Sequence, residues 1–200
     1  MKIDLHVHCS ERSGCGRSAE EEQIQAAIAA GLDAMAFTDH FKFIPPVRQA
    51  ELNNKYAPFL IFRGIEVTAS LEDFIVLGVG DAELESQSWT YPNLHGFVRM
   101  RKGYIIMAHP FRYHSELSPE VIALPPDAIE VRSVNTPAEA ERRIREVATN
   151  LKLQLMWNSD AHIATAMGSY FNVIDSAPVT DKELPAALRK SNIRSGGMAT

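Results

Sequence analysis

Only two cysteines, Cys9 and Cys15, occur in the 200-residue sequence, and they are not spaced as a CxxC pair. That excludes a zinc-finger framework and a thioredoxin-type redox pair. So few cysteines point to a reducing compartment. No apolar run approaches the ~20 residues that a membrane-spanning helix needs. The start, Met1–Ser13, has no apolar stretch of the kind that marks a secretory signal, so a soluble cytoplasmic protein is expected. Long blocks of one charge sign are also missing. The net charge is −5 and the isoelectric point about 5.8, which speaks against a nucleic-acid stripe or a membrane-surface helix. GxSxG, the P-loop and GxGxxG are all absent. Six residues after Cys9 stands Cys15, where a cysteine phosphatase needs arginine.

The 46% hydrophobic composition is enough for one domain with a full core, and a single domain over residues 1–200 is expected. Strand-like and helix-like segments alternate. Ile3–His8, Ala34–Thr38, Phe59–Thr68, Phe74–Val79, Tyr104–Ala108, Ala128–Val131 and Leu153–Asn158 read as strands, with a further short one at Val173–Ile174. Ser18 to Glu21 and Thr136 to Glu139 read as capping boxes that open helices ending near Ala30 and Asn150. Val47–Lys55 and Leu94–Lys102 are helical in pattern, and Thr180 to Glu183 opens a last helix ending near Arg189. The tail from Ser195 is expected to be mobile. Strands alternating with helices imply an α/β fold with a largely parallel sheet, and about seven strands suit a barrel better than a short open sheet.

Nearly every expected strand ends in a residue that can bind a metal. The first ends in His6-Val-His8 and the second in Asp39-His40. Later strands carry Glu66, His109 and Glu130, and the last long one ends in Asp160-Ala-His162. In a parallel barrel all C-terminal strand ends gather on one face. Residues at i and i+2 of a strand share a side, so His6 with His8, and Asp160 with His162, can each chelate one cluster. Five of the seven histidines follow this pattern. His95 falls on a helix surface, and His114 lies just past the His109 strand end.

The combination of His6-Val-His8, Thr38-Asp39-His40, Gly64-Ile65-Glu66, Ala108-His109-Pro110 and Ser159-Asp160-Ala161-His162, in that order, resembles the PHP family, named for polymerase and histidinol phosphatase. The resemblance spans residues 3 to about 162. It implies a distorted (β/α)7 barrel of TIM type, two or three divalent metal ions at the C-terminal strand ends, and phosphoester hydrolysis. By the same resemblance, His6, His8, Glu66 and Asp160 hold a first metal. Glu66 bridges to a second, which His109 and the residue near Glu130 also bind. His40 and His162 hold a third. Many members have an Asp or His shortly after the first HxH as a further ligand. Here Glu11 is the first candidate for that place and Cys15 the second. Asp39 is expected either to orient an imidazole or to cap its strand.

Mixed imidazole and carboxylate ligands suit zinc, manganese or iron alike. Adjacent cations lower the pKa of water and clamp phosphate oxygens. Arg12, Arg17, Arg112 and Arg132 lie just past strand ends, where guanidinium forks match phosphate; Arg112 is the best placed. Glu66, Asp160 and Arg112 are therefore the expected catalytic residues. The expected partner is a small phosphorylated substrate, with neither membrane nor long nucleic acid. Two rivals remain. A metal-dependent amidohydrolase also opens with HxH, although no lysine sits at a strand end between Glu66 and His109 to bridge metals. A nuclease acting on short oligonucleotides is the other.

Overall fold

The computed structural model of the protein describes residues 1–86 and 88–197. Its elements, in chain order, are β1 (Lys2–Val7), α1 (Glu20–Ala29), β2 (Ala34–Phe37), α2 (Pro46–Tyr56), β3 (Leu60–Ala69), β4 (Glu72–Leu77), α3 (Tyr91–Met100), β5 (Tyr104–Met107), α4 (Pro119–Ala123), β6 (Ala128–Arg132), α5 (Glu141–Leu151), β7 (Gln154–Trp157), β8 (Phe171–Val173), α6 (Leu184–Lys190) and β9 (Arg194–Gly196). The strands form one sheet in the order β7-β6-β5-β4-β3-β2-β1-β8-β9. β1, β2 and β3 run parallel, as do β5, β6 and β7. The sheet curls until its ends nearly meet. The Asn172 side chain on β8 spans the gap, accepting from Trp157 N at 3.0 Å and donating to Trp157 O at 2.8 Å. Above it, His8 N donates to Ala161 O at 3.0 Å, which joins the end of β1 to the chain leaving β7. The expected α/β barrel is the observed one.

The departures from strict strand–helix alternation have local causes. β4 is antiparallel to both neighbours, because only Ser70 and Leu71 separate it from β3. Both residues adopt left-handed φ, 50° and 69°, the geometry of a two-residue hairpin turn. A parallel crossover needs a dozen residues or more, and here there is no room for one. β8 and β9 also pair antiparallel. Ser195 and Gly196, expected in a mobile tail, belong to β9 and pair with Asn172 and Phe171; residues 198–200 of that tail lie outside the described residues. At the first expected capping box the helix starts one residue later and only half of the motif forms: Ala19 N donates to Glu22 Oε2 at 2.8 Å, while Ser18 Oγ accepts from Ala164 N. At the second, Thr136 hydrogen-bonds Ser133 Oγ instead of a helix end, and a 3-10 turn at Ala138–Ala140 precedes α5. α4 has no counterpart in the sequence reading.

Two faces of the sheet are apolar. Outside, α1 and α2 cover β1 to β3 through Ile24, Ala27, Leu52, Met35 and Phe37. α3 and α5 cover the other side through Leu94, Val98, Ile144, Ile65 and Val131. Inside, Ile3, Leu5, Ala36, Phe62, Ile75, Ile106 and Met156 fill the lower barrel. The alternation along β1 breaks between Asp4 and Val7, where the pairing register shifts. Ile3 and Leu5 pack inside whereas Val7 packs outside. A bulge of this kind reverses which side chains face inward, and it is what turns His6 and His8 into the barrel mouth.

Gly64 lies two residues before Glu66 at a point of close packing. A Cβ there would sit 2.7 Å from Leu77 Cδ2 and 2.8 Å from Thr38 Cγ2. Gly64→Ala is expected to cost about 1–3 kcal/mol of stability through overpacking, read as a lower urea midpoint. A midpoint equal to wild type would show that β2 and β4 yield freely at this place.

Candidate metal centre

Interior-facing positions change from apolar to polar at the top of the barrel. β1 delivers His6, and His8 follows at its end. The chain after β2 brings His40, β3 brings Glu66, β4 brings Asp73, the end of β5 leads into His109, and the extension of β7 carries Asp160 and His162. His6 Nε2 lies 3.4 Å from Glu66 Oε2 and 3.2 Å from Asp160 Oδ1. His8 Nε2 lies 3.2 and 3.3 Å from the same two oxygens. All four atoms are buried and none has a hydrogen-bond partner. Unsatisfied buried polar atoms are costly, and four aimed at one point fit a cation. Ligand atoms set tetrahedrally about 2.1 Å from zinc stand roughly 3.4 Å apart, close to the spacings seen here.

Glu66 faces two ways. Oε2 points at His6, His8 and, 3.1 Å away, His40 Nδ1. Oε1 is 3.1 Å from His109 Nε2. One carboxylate thus joins two groups of donors, as a bridging ligand would. Asp160 presents Oδ1 to His6 and His8 while Asn135 Nδ2 holds Oδ2 at 2.8 Å. His109 and Asp160 both take left-handed φ, 26° and 53°. Such backbone costs of order 1–3 kcal/mol and persists where its surroundings enforce it.

The electrostatics favour positive charge between these groups. Burial alone would raise the carboxyl groups, but His6 and its neighbours outweigh it and hold both Glu66 and Asp160 below the usual carboxylate range. Burial disfavours an imidazolium at His6 and His8, yet Asp160 and Glu66 overcome it. They push His8 up to about 9 and raise His6 as well. At the rim, burial lowers His40 and His162.

The other expected ligands divide. Glu130 is buried at the site but stands behind His6. Its Oε1 accepts from His6 Nδ1 and Asn158 Nδ2, both at 3.0 Å, and its Oε2 accepts from His109 N at 2.9 Å. With both oxygens engaged by protein donors, it orients an imidazole, as carboxylates behind metal-bound histidines do, in place of the ligand role the resemblance implies. Asp73 stands nearer: one of its carboxylate oxygens and donor atoms of Glu66 and His109 all lie within 4.8 Å of one another, a group that could hold an ion. Asp73 stands at no expected strand end and so gives no signal of that kind in the sequence, yet it pairs across the hairpin with Thr68 and so shares a face with Glu66. Glu11 is turned away from the cluster, accepting from Glu20 N at 3.0 Å at the start of α1. Cys15 is gathered with His8, His40 and His162 instead. Asp39 orients no imidazole; it accepts from Cys9 N and Arg12 Nε, each at 2.8 Å.

Of the four arginines, Arg12 is buried between Asp39 and Glu20, and Arg132 is paired with Glu141. Arg17 is tied by its backbone to His162 O. Arg112 is exposed at the rim, its guanidinium over the Tyr113 ring, and that ring stands edge-on to His109. His95 lies on α3, where its Nε2 accepts from Arg99, and takes no part in the cluster. His114 lines a separate cavity of about 450 Å³ with Ser70 and Glu72.

Residues 4–105 match the PHP domain family and residues 138–193 the PHP-associated family. Compared by sequence with curated proteins, the chain matches none. Among solved structures it is similar to PsfC from Pseudomonas syringae PB-5123, at 19% identity over 99% of this chain and 91% of that one, with a TM-score of 0.71. A two-domain protein from Bacteroides vulgatus, described as containing a predicted PHP-like metal-dependent phosphoesterase, gives 15% identity, 97% and 64% coverage, and 0.72. The lesion-specific endonuclease PfuEndoQ from Pyrococcus furiosus gives 16%, 97% and 57%, and 0.67. At such identities the likeness concerns the fold.

Glu130→Gln keeps the shape of the group behind His6 but not its charge. Zinc or manganese affinity is expected to fall by about 10- to 100-fold, measured by calorimetric titration. His95→Ala should leave it unchanged. Wild-type affinity in Glu130→Gln would remove that residue from any role in aligning His6.

Proposed function

This chain belongs to the PHP domain family, a family of metal-dependent phosphoesterases, and from that premise we propose that it hydrolyses a small phosphomonoester. The observation that carries the reading is the set of four buried, unpartnered donors, His6 Nε2, His8 Nε2, Glu66 Oε2 and Asp160 Oδ1. These would hold one divalent ion. Glu66, His109 and Asp73 would hold a second, and His40 and His162 a third. Zinc, manganese and iron all suit this mixture of nitrogen and oxygen. When bound, such ions act as Lewis acids on phosphoryl oxygens and lower the pKa of water between them.

The chain's own residues do the rest. Glu130 fixes the His6 ring, and Asn135 fixes Asp160, so the donors are aligned before substrate arrives. Arg112, exposed at the rim with its guanidinium over the Tyr113 ring, binds the outer phosphate oxygens. The site opens at the barrel mouth through His40 and His162, whose side chains are 35% and 24% exposed. Two of the neighbouring arginines are engaged by protein carboxylates, and the net charge is negative. Both features suit a small anion better than a long nucleic acid, whose backbone calls for a basic stripe. The free thiols of Cys9 and Cys15 are in keeping with a reducing compartment, and the cytoplasm is the proposed location. Among the described residues no helix is long and apolar enough to cross a membrane.

An assay of phosphate monoesters and diesters with added Mn²⁺ or Zn²⁺ tests the reading. Monoester turnover should vanish with chelator and return with metal. Turnover of diesters alone would favour a nuclease, and activity surviving exhaustive chelation would overturn the mechanism. Glu66→Gln should lose at least one metal and nearly all turnover. One charge pair at ~4 Å and an effective dielectric near 20 is worth roughly 4 kcal/mol, and a third of that is already about tenfold in affinity.

A further inference from the structure

The outer edge of the centre contains a thiol. Cys15 Sγ and donor atoms of His8, His40 and His162 all lie within 4.8 Å of one another. The loop that carries Cys15 is pinned on both sides. Ser13 N donates to Cys9 O at 3.0 Å, Gly16 N to Ser13 O at 3.0 Å, and Arg17 N to His162 O at 2.7 Å. Ser13 Oγ accepts from His40 N at 3.0 Å and is bonded to His8 Nδ1 at 3.3 Å. A Cβ on Gly16 would stand 2.4 Å from the Cys9 carbonyl, so the chain can close this tightly only on glycine. His162 Nδ1 donates to the Asp160 carbonyl at 2.9 Å, which leaves the Nε2 lone pair free to bind a cation. His8 Nε2 belongs to the first, four-donor group, so the outer position borders directly on it.

We propose that Cys15, as a thiolate, completes the outer metal position with His40 and His162 and makes it selective for Zn²⁺. The proposal rests on the metal-centre reading above and deepens it. The inner position of Glu66, Asp73 and His109 is rich in oxygen and accommodates Mn²⁺. The outer one offers imidazole nitrogen and sulfur, and soft thiolate donors select zinc. As the Sγ–metal bond forms, the thiol proton passes to solvent. The site therefore sorts its ions by ligand chemistry.

Thiol labelling reads this without any measurement of turnover. Cys9 is buried and Cys15 exposed, so iodoacetamide should alkylate one thiol rapidly in the chelator-treated full chain, and none in Cys15→Ser. Zn²⁺ should slow that labelling at least tenfold, and Mn²⁺ should leave it nearly unchanged. The Co²⁺-loaded chain should show a near-ultraviolet thiolate charge-transfer band that Cys15→Ser lacks. Zinc bound, by elemental analysis of the same sample, with undiminished labelling would overturn the thiolate assignment alone. Failure to bind any zinc would overturn both this proposal and the reading on which it rests. A cobalt band that persists in Cys15→Ser would assign the sulfur to another residue and sink the proposal.

Discussion

Two buried carboxylates, Glu66 and Asp160, face two buried imidazoles, His6 and His8, across gaps of 3.2–3.4 Å, and the top of the barrel is organised by the need for positive charge between them. Burying an isolated carboxylate is prohibitive. Two side by side repel as well, so the arrangement is stable only with a compensating cation, whether protons on the imidazoles or bound metal. Everything around the gap serves that requirement. The bulge in β1 turns both histidines inward, and strained backbone at His109 and Asp160 aims their side chains at the same point.

Behind the donors runs a continuous polar network. Asn172 Nδ2 donates to Asn158 Oδ1 at 2.8 Å, Asn158 Nδ2 to Glu130 Oε1 at 3.0 Å, and Glu130 holds His6. Asn158 Oδ1 also accepts from Leu5 N. The same amides that close the barrel between β7 and β8 therefore fix the His6 ring, so closure of the sheet and alignment of the candidate metal centre are one structural event. Networks of this kind reinforce one another in a low-dielectric interior and are costly when broken. On the opposite side, Asp39 joins the start of the Cys9 loop to Arg12, and Arg12 to Glu20 at the head of α1.

His6, His8, His40, Glu66, His109, Asp160 and His162 could be found in the sequence because each lies in the later part of an apolar strand-like run or just past it, and the ends of parallel strands meet on one side of a barrel. That rule needs only periodicity and order along the chain. Asp73 escaped it. Asp73 comes from the start of an antiparallel strand, and only the two-residue turn at Ser70-Leu71 carries it to the same end of the sheet.

The sequence by itself determined most of the strands and helices, the barrel, and the convergence of seven residues from five strands, since these follow from local hydrophobic patterns and residue type. Tertiary structure alone decided what each nearby group does. Glu130 and Glu11 are carboxylates near the right strand ends, yet Glu130 accepts three protein donors behind His6 and Glu11 accepts a backbone N–H at the head of α1. Cys15 and Asp73, with weaker or no sequence signals, lie among the groups of side chains that could hold a metal. The reason is physical. A carboxylate within reach of buried N–H groups is captured by them, and which N–H groups are within reach depends on how strands and loops far apart in the chain pack together.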